Sequence, residues 1–282
     1  PTWPGFRWLH SRFFLPRLLH DLEQAGLRTG ADCVVYVATA TTLELARRLK
    51  PGAVLYDCAS NFREHPNAPA DFAAHERALM ALSDQVVCDS EFLYAQKMEE
   101  HPHVEKIHQG VPNDFFRVPP PDGDGGFCYY GTWSEGLDAR HVDALAAAGF
   151  KTTVRGFNKV DAPPLSPAVQ RLPPVPRADV AAGLSPYAGF ILPYRLTPFV
   201  MGVMPAKIYE CLATGRPVIS TPLPSLKALE GLIYLGETPE DWVRIARDLP
   251  RTETEELRLA RIAHAREHSV ETEFGRLTRC LA

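Results

Sequence analysis

The 282-residue chain predicts an α/β protein of two similar halves, each a parallel β-sheet covered by helices. Three observations carry that expectation. Short, near-continuous apolar runs alternate with longer amphipathic segments, the pattern of parallel strands buried on both faces and joined by helical crossovers. The alternation stops at Val118-Pro-Pro-Pro-Asp-Gly-Asp-Gly-Gly126, which no helix or interior strand accommodates. It then restarts at Phe127-Cys-Tyr-Tyr-Gly131. The expected division is a first domain over 1–117, a linker over 118–126 and a second domain over 127–262. A helical segment, 263–282, is expected to pack back toward the first domain. Right-handed crossovers make each half doubly wound, and ligands of such sheets bind beyond the carboxyl ends of the strands, here expected to face a cleft.

In order, residues 1–28 read as a loop followed by a helix. Phe6, Trp8, Phe13 and Phe14 alternate there with Arg7, Arg12 and Arg17, so segment 6–19 suits an anionic membrane face. Phe14, Leu18 and Leu22, at helical spacing, equally suit packing onto the domain. Strands are expected at Asp32–Val37, Ala53–Asp57, Asp84–Ser90 and Glu105–Gly110, with helices at Thr41–Leu49, Ala70–Leu82 and Glu91–His101. Past the linker the strands are Phe127–Gly131, Lys151–Val154, Gly189–Pro193 and Pro217–Thr221. Helices are expected over Asp138–Ala148 and Ala206–Thr214, and the chain reads as mostly helical after Tyr234.

Composition narrows the function. With 45% hydrophobic and 23% charged residues the chain folds rather than staying disordered. A net charge of −4 and a pI near 6.2 exclude a nucleic-acid binder driven by bulk electrostatics. The six cysteines form no CxxC pair, so they read as free thiols. No apolar run approaches the roughly 20 residues that span a bilayer. The expected location is cytoplasmic and peripheral, at the inner face of the plasma membrane.

The most informative stretch is Met204-Pro-Ala-Lys-Ile-Tyr-Glu-Cys-Leu-Ala-Thr-Gly-Arg-Pro-Val-Ile-Ser-Thr221. Pro205 suits a first helical position and Gly215 the left-handed residue after the helix. Met204, Pro205 and Ala206 form the helix entry, whose free N–H groups (Pro205 itself has none) would face an anion such as phosphate. Lys207 adds a point charge for a diphosphate. Glu210, three residues on, shares its face and suits the two hydroxyls of a ribose. The same Lys/Glu pair also occurs on ordinary solvent-facing helices.

In pattern, Pro-x-Lys-x-x-Glu, a small residue, Gly-x-Pro-Val and Ser-Thr, this stretch resembles the nucleotide-binding segment of GT-B glycosyltransferases. It is closest to the retaining (group 1) enzymes that build bacterial polysaccharides and exopolysaccharides. Ile107-His-Gln-Gly-Val-Pro-Asn-Asp-Phe-Phe116 resembles the strand-to-linker segment of that group. Tyr129-Tyr-Gly-Thr-Trp-Ser-Glu-Gly-Leu-Asp138 resembles the first strand and loop of its donor domain. Tyr56-Asp-Cys-Ala-Ser-Asn-Phe62, then Glu76 and Ser83–Ser90, match the end of its acceptor domain. The resemblance covers roughly residues 32–282, and within the group it leans to teichuronic-acid and xanthan-type glucuronosyltransferases.

The resemblance implies transfer of a sugar, with retention, from a nucleotide-sugar donor, expected to be UDP-linked, to a lipid-linked or oligosaccharide acceptor. It implies no cofactor. Backbone N–H groups at Gly131 and Thr132, with Lys207 and the helix entry, would neutralise the leaving diphosphate without a metal. Asp122-Gly-Asp124 has the spacing of a metal clamp but falls in the linker. Tyr194 and Arg195 are expected at the donor edge. The acceptor proton would pass to the departing phosphate or to a carboxylate, with Asp57 first, then Asp89 and Glu76. His65 and His108 are candidates for lining the acceptor side.

Three departures stand out. Gly202 occupies the position of the group's first acidic residue, Ser60 and Asn61 stand where relatives carry acids, and the expected opening strand of the first domain is absent before Pro1. They keep open the reading of a degenerate partner subunit that binds without turnover. A second rival is a UDP-sugar 2-epimerase-like enzyme on the same fold, which needs several acid–base groups around the sugar, so the carboxylate missing at Gly202 counts against it.

Overall fold

A computed structural model describes residues 8–121 and 125–281. Its contacts divide into two compact units, residues 1–107 with 277–282, and residues 108–276. The clamp-like Asp122 and Asp124, and Phe6 and Arg7 of the aromatic segment, lie outside the described residues.

The first unit is a four-stranded parallel sheet in the order β1 (Val34–Val37), β2 (Ala53–Cys58), β3 (Gln85–Cys88), β4 (Val104–Lys106). Helices α1 (Leu15–Gln24), α2 (Leu43–Leu49), α3 (Phe72–Met80) and α4 (Glu91–Met98) accompany it. Val54, Tyr56, Leu79, Val86 and Leu93 form its core. Ser90 starts α4 by accepting a hydrogen bond from the Leu93 N–H at 3.2 Å, satisfying one of the free donors of a helix start. A buried ionic cluster ties the layers. Glu76 accepts from Lys97 Nζ at 2.9 Å, from Tyr56 Oη at 2.7 Å and from Arg63 Nε, while the Arg63 guanidinium also grips Glu100 at 2.6 and 2.7 Å.

The aromatic segment differs from its packing alternative. Only Leu15 of α1 is buried, whereas Phe14 and Leu18 are exposed, along with Trp8 and Phe13. The periodicity is helical, but the face chosen for burial is Leu15's rather than that of Phe14.

The second unit has six parallel strands ordered β10 (Tyr234–Leu235), β9 (Val218–Ser220), β8 (Gly189–Leu192), β5 (Phe127–Tyr130), β6 (Thr152–Arg155), β7 (Gln170–Leu172). Numbered within the unit, that is sixth-fifth-fourth-first-second-third, a doubly wound Rossmann order whose switch point lies between β5 and β8. Both faces are packed. Phe190 and Leu192 of β8 join Ile208 and Leu212 on one face, and Ile191 joins Trp133, Leu145 and Trp242 on the other. The helices are α5 (Ala139–Ala147), α6 (Val180–Gly183), α7 (Ile208–Ala213), α8 (Pro239–Thr252) and α9 (Glu255–Arg266), with α10 (Val270–Arg279) counted here to residue 276 and in the first unit from 277.

Two strands depart from the sequence reading. β7 lies inside the proline-rich stretch, and β10 opens the segment read as helical. The helix expected over Ala206–Thr214 is shorter, because Pro205–Lys207 form a turn in which the Ile208 N–H bonds the Pro205 carbonyl at 2.9 Å. Gly215 takes the expected left-handed conformation, φ +74°. Arg216, beside it, holds the start of the linker by donating to the Pro119 carbonyl at 2.5 Å. No helix among the described residues is long and apolar enough to cross a membrane.

Candidate functional site

The carboxyl ends of β5 and β6 meet backbone to backbone. Gly131 follows β5 at φ +125°, and Gly156 follows β6 at φ +145°. A Cβ on Gly156 would lie 2.0 Å from the Gly131 carbonyl oxygen, so glycine is the residue the approach admits. A Cβ on Gly131 would meet Lys207 Cε at 3.3 Å and Nζ at 3.4 Å. The glycine thereby makes room for the lysine.

Above these glycines opens a cavity of about 490 Å³ in the second unit. Gly131 and Thr132 enter its wall from the end of β5, and Ala206, Lys207 and Glu210 from the head of α7. Arg155 and Arg177 complete its charge, giving three cationic side chains against the one carboxylate. That balance suits a multiply charged anion.

Lys207 Nζ lies 5.0 Å from the centre of the Tyr129 ring. Burial works against its charge, but the neighbouring Tyr194 and Tyr129 oxygens outweigh that, and its pKa lies above the usual lysine value. Glu210 is buried, and its two oxygens are separately engaged. Tyr130 Oη donates to one at 2.9 Å and Arg177 Nη2 to the other at 2.7 Å. Burial first, then the Cys211 and Glu210 charges, hold the Tyr130 phenol well above its ordinary pKa, so it stays a donor.

Of the residues anticipated from sequence, the fold brings Gly131, Thr132, Ala206, Lys207 and Glu210 onto this one cavity. Tyr194 is not on its wall and acts there only through its electrostatic effect on Lys207. Met204 packs into the core beneath, and Pro205 is buried in the turn. Arg195 is exposed and contributes a backbone bond to the Gly136 carbonyl at 2.8 Å; it is not on the cavity wall. Gly202, where a carboxylate was expected by resemblance, is buried in the Val200–Gly202 turn. Sequence reasoning passed over Arg155, Gly156 and Arg177. A glycine directly after a strand was an available signal for Gly156; Arg177, 33 residues before Glu210, offered none.

Asp57 belongs to the first unit, at the end of β2, where the Tyr36 hydroxyl donates to it. Burial pushes its pKa up, and the Tyr36 hydrogen bond pulls back. Asp89, just past the end of β3, is 6% exposed, and its Oδ1 is buried without a hydrogen-bond partner. Burial, then the charge of Asp57, raises its pKa to about 8. The two carboxyls stand at adjacent strand ends, each with its pKa raised by burial, and the charge of Asp57 further disfavours that of Asp89. Glu76 differs: Lys97 and Arg63 hold its carboxylate, which makes it part of the ionic cluster. The two histidines separate. His65 Nδ1 accepts from the Asn67 N–H at 3.1 Å in the first unit, and the His108 ring packs 5.2 Å from Tyr209 in the second.

No family model matches the chain, and no curated protein does. Solved structures do. HepE of Anabaena, in complex with UDP and glucose, is similar over 88% of this chain and 77% of that one, at 14% identity and TM-score 0.66. Sucrose-phosphate synthase from Thermosynechococcus elongatus matches over 95% and 77% at 16% identity and TM-score 0.70. A glycosyltransferase from Rickettsia africae matches over 99% and 82% at 13% identity and TM-score 0.69. At such identities the likeness is one of architecture: the chain has the Rossmann-like α/β fold of GT-B glycosyltransferases.

Proposed function

We propose that the protein is a retaining glycosyltransferase that takes its sugar from a UDP-linked donor. The observation that carries this is the gathering of Gly131, Lys207 and Glu210 on one cation-rich cavity at the carboxyl ends of a doubly wound sheet. In this reading the diphosphate lies against Gly131, Thr132 and Lys207, and the ribose hydroxyls donate to Glu210. The binding of UDP, and of UDP-glucose, by HepE on a similar fold supports the donor class.

In the reaction, the bond from the sugar C1 to the β-phosphate oxygen breaks as C1 bonds the acceptor oxygen. The acceptor proton passes to the departing phosphate on the same face. Charge then grows on the diphosphate, where Lys207 stands in the role a metal ion fills elsewhere. The acceptor is a lipid-linked or oligosaccharide molecule of bacterial surface-polysaccharide synthesis. The exposed Trp8, Phe13 and Phe14, with Arg12 and Arg17, rest on the anionic cytoplasmic membrane face where a lipid-linked acceptor resides.

Calorimetric titration with UDP and GDP tests the donor site. UDP should bind, and Lys207→Ala and Glu210→Ala should each cost about 1.5–3 kcal/mol, roughly tenfold or more in affinity. If the intact chain binds neither nucleotide, the transferase reading fails and the degenerate-partner reading replaces it. Incubation with UDP-sugars then separates transfer, which releases UDP, from epimerisation, which does not.

A further inference from the structure

We propose that the second unit carries a transition-metal site, of the zinc type, on the side of α7 away from the nucleotide cavity. Its ligands are His264, Glu267 and His268, at the end of α9 and in the turn after it. One donor atom from each lies within 4.8 Å of the others. His264 Nδ1 and Glu267 Oε2 are 3.6 Å apart, close to the edge of about 3.4 Å that two ligands span on a tetrahedral ion with bonds of about 2.1 Å.

The surroundings hold these groups ready. His268 Nδ1 lies 2.6 Å from Glu273 Oε1, which commits its proton to that nitrogen and leaves the Nε2 lone pair for an ion. Glu273 is itself buried and fixed, accepting from the His108 backbone N–H at 3.1 Å and from Arg276 Nη1 at 2.7 Å. With Nδ1 facing the ion, the buried His264 Nε2 has no hydrogen-bond partner, so His264 lacks the support that Glu273 gives His268. The Tyr209 ring packs against both imidazoles, 4.2 Å from His268 and 6.0 Å from His264 by ring centres. The His108 ring lies 4.8 Å from that of His268 by ring centres.

Two imidazoles and one carboxylate favour Zn²⁺, Co²⁺ or Ni²⁺ over Mg²⁺, which prefers oxygen ligands and its own waters. An ion here ties the end of α9 to the turn that follows and, through Glu273, to residue 108, where the second unit begins. Tyr209 faces this cluster while its neighbour Glu210 faces the cavity, so the two sites share α7 but no ligand.

The test is titration of the full chain, stripped with a chelator, against Zn²⁺ and Mg²⁺. Cobalt absorption reads the ligand set directly. Saturable binding of one Zn²⁺ per chain is expected, with no Mg²⁺ response and a tetrahedral Co²⁺ spectrum. His264→Gln and His268→Gln should each weaken Zn²⁺ binding about tenfold or more, and so should Glu273→Gln, which removes no ligand but frees His268. His65→Gln is the control and should change nothing. His264 and Glu267 lie toward the surface, so His264→Gln and Glu267→Gln carry the test if His268→Gln fails to fold. No saturable binding below about 100 µM, or unchanged affinity in His264→Gln, overturns the proposal.

Discussion

Gly131 is held at φ +125°, a region where a side chain is strained, and its missing Cβ is the space that Lys207 uses. Gly131→Ala should therefore lower stability by about 1–3 kcal/mol in urea unfolding and weaken UDP binding in the same variant. A purely conformational role would move the first and spare the second. Lys207 and Glu210 were legible because one helix start holds both: a proline, a cation and an acid at fixed spacing describe a local geometry. Arg177 was not legible. Its partnership with Glu210 comes from the strand order bringing the segment after β7 beside α7, which no local pattern encodes. The same holds for Glu76, where a buried carboxylate looked like a candidate base and proved to be the counter-ion of Lys97 and Arg63.

Among elements, the strands were readable wherever both faces are buried, since Phe127–Tyr130 and Gly189–Leu192 are unbroken apolar runs. β7 escaped because it is an edge strand of three residues, Gln170, Arg171 and Leu172, with two of them exposed. An edge strand has no apolar signature to show. The neighbouring ends of β2 and β3 set a pH dependence. Folded, Asp89 keeps its proton to about pH 8; unfolded, it releases it near pH 4. Between these values the folded chain binds more protons, so its contribution is complete below about pH 4 and is lost progressively up to about pH 8. Asp89→Asn should flatten that fall and raise Tm by a few degrees at pH 8.5, followed by circular dichroism. At the other end of the chain, Thr238 caps α8, accepting from the Asp241 N–H at 3.1 Å while Asp241 bonds back to the Thr238 N–H at 3.1 Å. Thr238→Ala should cost about 1 kcal/mol in urea unfolding with nucleotide binding unchanged.

At the scale of the whole molecule, the two compact units each have their own core, so unfolding need not be a single transition. Scanning calorimetry should resolve two. UDP should raise the one belonging to the second unit, by mass action on the folded form. Glu76→Gln should lower the other by about 3–5 kcal/mol, because it strips the buried Lys97 of its counter-charge. A single transition that both changes shift alike would show the units to be one cooperative body. The strand order of the second unit also bears on how the chain is made. β5 is the first of its strands to leave the ribosome, yet it sits inside the sheet, and its partner β8 begins at Gly189, 59 residues after Tyr130. At about 5–20 residues per second, roughly 3–12 s of synthesis pass with one edge of Phe-Cys-Tyr-Tyr unpaired. The strand that anchors the finished sheet thus presents, during translation, an unpaired apolar edge until β8 arrives to cover it.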